Sequence, residues 1–184
     1  MDLQHVNVKI FVEGDLSLDP SRFISVFHQW IQDQVLDELL IDVADYCHVP
    51  DGPGVVLIAH EADYSMDHTD GRWGLRYNRK AAVAGSNEDR FRQAFRSAVN
   101  ACVLLENQFA ADGPLRFSRS EFELFINDRA LAPNTPETYA ACKPELEAFC
   151  KRLFGRGDFT FDQPTDHRRR FGVLIKSTSQ FDIR

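Results

Sequence analysis

Between residues 48 and 70 the chain carries its densest set of metal-ligand and acid–base types: His48, His60, Glu61, Asp63, Asp67, His68 and Asp70. Imidazole nitrogen and carboxylate oxygen suit zinc, manganese or iron, and a hydrolytic site takes about three such ligands with one position open to water. In that chemistry His48, His60, Asp63, Asp67 and His68 are the candidate ligands of a divalent metal. Glu61 is the candidate catalytic base, placed to take a proton from metal-bound water. The spacing is not diagnostic. His60-Glu61 begins like the HExxH helix motif, but the second histidine is missing and the pair sits at a strand end. On a strand the two point to opposite faces, so only one can serve a given site. A solvated hairpin tip has the same composition.

No other stretch supplies a complete constellation. The chain has no GxSxG, no P-loop and no GxGxxG after a strand. Pro50-Asp51-Gly52-Pro53-Gly54 has the glycines of a phosphate loop but precedes a strand, the wrong order for a helix N-terminus to receive an anion. His167-Arg168-Arg169-Arg170 has the chemistry to hold a phosphate or carboxylate; on an edge strand such charges instead block edge-to-edge association.

The elements that must position these residues follow from periodicity. Val6, Val8, Ile10 and Val12 alternate with Asn7, Lys9, Phe11 and Glu13, the pattern of a half-buried strand. A helix is expected from Pro20 to about Leu36, with Phe23, Phe27, Trp30 and Ile31 on its inner face, then a strand over Leu39–Ala44. Two prolines and two glycines make 48–54 a turn. Val55–Ala59, apolar on both faces, reads as a central strand with a second cover, such as a partner subunit. It forms a long hairpin with Trp73–Tyr77, the polar residues lying near the Asp70-Gly71 tip.

Ser86 caps a long core-facing helix through Leu105. After Asp112-Gly113-Pro114 come two short strands, Leu115–Phe117 and Phe122–Asn127, joined by a tight hairpin at 118–120. Thr135-Pro136 starts a third helix, which Pro144 should kink or split. Phe159–Phe161 and Phe171–Ile175 make a last hairpin. Leu75, Asn78 and Ala81 match Leu124, Asn127 and Ala130 at a spacing of 49, as two related ββα units would.

At 184 residues and 43% hydrophobic, with 15 Phe, the chain can build a core without staples. The expected fold is a single α+β domain over 1–184, a mainly antiparallel sheet of seven or eight strands with three long helices on one face. The N-terminus lacks a signal-peptide pattern and no apolar run approaches the roughly 18 residues that span a bilayer. Four cysteines without CxxC spacing read as reduced thiols, so a cytoplasmic location is expected. A net charge of −7 argues against nucleic acid. The charges are segregated: no Lys or Arg lies between Arg22 and Arg72, and Arg72, Arg76, Arg79, Lys80, Arg90, Arg92 and Arg96 then follow. The two blocks face each other, face partners, or stay solvated. These features favour a non-catalytic binding or assembly protein that self-associates as a homo-oligomer or meets a protein partner. The alternative is a metal-dependent hydrolase using the 48–70 segment.

Overall fold

Strand β1 (Val6–Val12) is the axis of the molecule, and all seven of its residues are buried. That departs from the half-buried strand expected from its alternation. The computed structural model, which describes residues 1–111, 113, 115–155 and 158–181, shows why. Val6, Val8 and Ile10 enter the core beneath the helices. Asn7, Lys9 and Phe11 lie on the opposite face and are just as inaccessible, although two of them are polar.

Around β1 the chain lays down α1 (Arg22–Asp33), β2 (Leu40–Tyr46), β3 (Gly54–Ala59), β4 (Ala62–Asp67), β5 (Gly74–Arg79), α2 (Asn87–Gln108), β6 (Phe117–Ile126), α3 (Pro136–Phe154), β7 (Phe159–Asp162) and β8 (Gly172–Ser177). The strands form one antiparallel sheet in the order β2-β3-β4-β5-β1-β6-β8-β7. The three helices cover its inner face. Helix α1 packs on β2 and β3, α2 crosses β1, β5 and β6, and α3 leans on α2. This is the α+β architecture read from the sequence.

Local chemistry sets the boundaries. Helix α1 ends at Asp33, three residues short of the expected Leu36, because Gln34 turns left-handed at φ 47°. Ser86 and Asp89 cap α2 reciprocally: the Asp89 N–H donates to the Ser86 hydroxyl and the Ser86 N–H to the Asp89 carboxylate. Thr135 caps α3 ahead of Pro136. Pro144 neither ends nor splits α3, which runs unbroken to Phe154.

Three expectations need correction. The polar stretch after Ala59 is not a hairpin tip but strand β4, with Ala62, Tyr64 and Met66 turned to the core and Asp63, Ser65 and Asp67 to the other face. Strand β3 is therefore second from the edge, not central. Leu115–Phe117 and Phe122–Asn127 are not a hairpin; 117–126 is one long strand, β6, with a register shift opposite Ile10 and Val12. The second ββα unit accordingly has one strand, though β5 and β6 do flank β1 on either side. Asp112 and Pro114 lie outside the described residues.

Gly54 opens β3 at φ +62°, and a Cβ there would sit 2.0 Å from the Met66 carbonyl oxygen. Side chains are excluded by both the backbone angle and the neighbouring strand. Gly54→Ala is expected to lower stability by at least about 2 kcal/mol, read as a fall in the denaturant midpoint.

Candidate functional site

The sheet's outer face, away from the helices, concentrates the polar chemistry of the chain. At its centre Lys9 of β1 donates to Asp67 of β4 at 2.6 Å, although β5 lies between the two strands. The crossing is made possible by Gly74. A Cβ at that position would meet the Lys9 stem at 3.0–3.1 Å and the Ile10 carbonyl at 2.7 Å. Asp67 also accepts from the Thr69 N–H at 3.1 Å, the Thr69 hydroxyl at 2.8 Å and Arg76 at 3.3 Å, while Lys9 reaches the Thr69 carbonyl at 3.0 Å. The Lys9 and Asp67 side chains are 3% and 1% exposed, so neither charge has water to fall back on.

One transverse row of this face runs Ser65, Arg76, Lys9, Glu123 and Leu174 across five strands. Glu123 makes no hydrogen bond or ion pair among the described residues. Burial pushes its carboxyl up from the ordinary range, opposed by the charges of Lys9 and then Arg169. It lines a cavity of about 200 Å³ together with Lys9, Phe11, Arg72, Asp162 and Arg169. Arg72 lies 3.7 Å over the Phe11 ring and forms two 3.1 Å bonds to Glu121, and Arg169 pairs with Asp70. Loops 68–73 and 163–171 are thus tied together over the sheet. A second row, Asp63, Asn78, Asn7 and Phe125, holds buried atoms without a hydrogen-bond partner among the described residues: Asn7 Oδ1 and Asn78 Oδ1, with Arg76 Nε beside them.

The residues singled out in the sequence fall in different places. Asp67 is the hub of the ion cluster. Asp63 shares its face but pairs with Lys80 at 2.7 Å and accepts from Asn78 at 3.4 Å. Glu61, in the β3–β4 turn, pairs with Arg79 at 2.9 Å, and His60 beside it is exposed. His68 stacks on Trp73 at 4.5 Å, and His48 lies over Tyr46, 6.5 Å between ring centres. Among the described residues no three His, Cys, Asp or Glu side chains group so as to hold a metal. Lys9, Arg76, Glu123 and Asn7, missed by sequence reasoning, carry the face instead.

On the helix side Glu38 is buried and accepts from Tyr64 at 2.6 Å and Tyr77 at 3.2 Å, while Gln93 donates to the Tyr77 hydroxyl at 2.8 Å. Burial raises the Tyr64 phenol well beyond its usual range, with the Glu38 carboxylate adding to the rise, and burial also raises the Tyr77 phenol, opposed by its hydrogen bond with Gln93. Glu38, Tyr64 and Gln93 line a groove of about 910 Å³ beside α2. Their hydrogen bonds are met within the chain.

The charge blocks meet inside the monomer, through Arg76–Asp67, Arg79–Glu61 and Lys80–Asp63. Asp42, Asp45 and Asp51 have no cation partner among the described residues and surround the β2 edge. Five of the seven exposed large apolar side chains among the described residues lie there too: Val35, Leu39, Ile41, Tyr46 and Val49. The edge backbone is partly closed. The Gln34 side chain bonds both the Leu40 N–H and C=O, the Asp42 carboxylate takes the Val43 N–H, and the register shifts between Leu40 and Asp42.

No family model matches the chain, and no curated protein or solved structure resembles it significantly.

Two outcomes are expected on this face. Lys9→Met, which leaves Asp67 buried with Arg76 as its one cation, lowers stability by about 3–5 kcal/mol, and Lys9→Met/Asp67→Asn costs less than the single change in chemical denaturation. Burial lifts the folded-state pKa of Glu123 above its unfolded value, so folding takes up a proton and this group subtracts stability as pH rises past about 4.5. Glu123→Gln removes that loss. Its stability relative to the parent therefore increases between about pH 4 and about pH 7, and a constant difference would show that Glu123 titrates as it does in the unfolded chain.

Proposed function

We propose that the protein acts by binding and assembly, without chemistry of its own, and that a second copy covers the apolar skirt of β2. The observation that carries this reading is the gathering of Leu39 (61% exposed), Ile41 (53%), Tyr46 (44%), Val49 and Val35 around one sheet edge, while the other large apolar side chains are largely withdrawn. Scattered single residues need no explanation, but five exposed apolar side chains strung along one sheet edge among carboxylates have the composition of an interface. Because Gln34 and Asp42 occupy edge backbone groups, the contact is made by side chains and not by a ninth strand. A two-fold arrangement needs only one self-complementary patch. Antiparallel apposition about Val43 sets Asp42 across from Ala44, and Asp45 across from Ile41, so no two carboxylates are directly opposed.

A cytoplasmic location belongs to the same reading, supported by four free cysteines, of which Cys102, Cys142 and Cys150 are buried. No helix among the described residues is long and apolar enough to cross a membrane. The alternative of a metal-dependent hydrolase draws no support from the arrangement of residues 48–70, whose candidate ligands lie apart and whose candidate base is held by Arg79.

Light scattering over a dilution series is expected to show a dimer that dissociates on dilution and tightens with salt, as the uncompensated acids are screened. Ile41→Asp should weaken it by about tenfold or more with little effect on folding. A monomer at every concentration would overturn the reading.

A further inference from the structure

Arg170 is the one member of the 167–170 basic run whose guanidinium turns inward. The residue is half-buried, and among the described residues its guanidinium forms no ion pair and one side-chain hydrogen bond, to Asn127 Oδ1 at a long 3.4 Å. Its neighbours differ: Arg168 is paired with Asp166 and Arg169 with Asp70. The Arg170 guanidinium sits 4.6 Å from the centre of the Phe125 ring, and that of Arg76 lies 4.9 Å from the same ring.

Arg76 is itself incompletely served. Its ion pair with Asp67 is long, at 3.3 Å, because that carboxylate is already held by Lys9 and Thr69, and its Nε is buried with no acceptor. Two guanidiniums therefore converge on one aromatic ring with a third share of one carboxylate between them. The nearest further acid, Glu123, bonds to neither. Burial, and then the neighbouring charge of Arg76, depress the Arg170 pKa, opposed by the charges of Glu123 and Asp67. A partly desolvated cation without a direct ion-pair partner is costly, and the planar fork of arginine fits carboxylate and phosphate oxygens two at a time.

We infer that Arg170 and Arg76, over the Phe125 ring, form a binding site for a small molecule bearing an oxyanion, a carboxylate or a phosphate. The anion supplies the acceptor that Arg76 Nε lacks and the direct ion pair that Arg170 lacks. The buried Phe125 ring backs both guanidiniums, and the exposed Asn127 stands beside Arg170. This site is independent of the β2 surface.

The test uses the full-length chain with inorganic phosphate and, separately, acetate as probes, each against sodium chloride at equal ionic strength. Amide chemical shifts of Phe125, Asn127 and Arg170 are followed by NMR, because phosphate also stabilises proteins by general exclusion and a thermal shift alone would not discriminate. Saturable shifts at these amides are expected with at least one probe, and comparison of the two identifies the preferred oxyanion. Arg170→Gln should weaken binding by about tenfold or more, while Arg168→Gln, in the same basic run, leaves it unchanged. Arg170→Lys, which keeps the charge and loses the fork, should bind several-fold more weakly and covers the case in which Arg170→Gln does not fold. Absence of saturable shifts with both probes, or equal losses in Arg168→Gln and the Arg170 variants, would overturn the assignment.

Discussion

The ion pair between Lys9 and Asp67 is the constraint on which the rest of the sheet turns. A lysine on the middle strand, with its amine out of reach of water, must meet a carboxylate or lose its charge. Meeting Asp67 requires reaching over a whole strand, which requires a residue without a side chain at position 74. Asp67 must then be fixed at the end of β4, and it is, by Thr69 and Arg76. Strand order, the glycine in β5 and the β4–β5 connection are thus parts of one solution to the burial of a single charge.

The inner face was legible because apolar periodicity reports it directly. Phe91, Phe95 and Leu105 on α2, and Val8 and Ile10 on β1, enter the core as their spacing requires. The caps at Ser86 and Thr135 were legible for a similar reason, since their chemistry is local. The outer face was not. On β1 and β4 alternation separates two faces correctly, but assigning the polar face to solvent assumes that nothing covers it. Here loops 68–73 and 163–171 do, and nothing in the residues near Lys9 signals a loop more than 150 positions away. Asp67 was singled out for its company of histidines, whereas its partners are a lysine 58 residues earlier and an arginine nine residues later.

Burial also hid β4. Read along the chain, 60–71 is rich in His, Asp and Glu and resembles a tip. Read with period two, Ala62, Tyr64 and Met66 form an apolar face that pairs β3 with β5. The carboxylates dominated the composition of that stretch and obscured the three residues that decide its structure.

A sheet covered by helices on one side has to dispose of its other face. An apolar face would need a second layer, and a fully solvated one would leave no reason for loops to stay. This chain takes an intermediate course, in which charges draw the loops down: Arg72 to Glu121, Arg169 to Asp70, and Lys9 to the Thr69 carbonyl. Such pairs add little net stability compared with apolar packing of the same volume, but each is satisfied in one geometry only. The loops are therefore positioned more than they are glued. Where that matching is incomplete, at Arg170, Arg76 and Glu123, the face keeps charges that the chain itself does not settle, and those are the groups with free energy left to spend on something else.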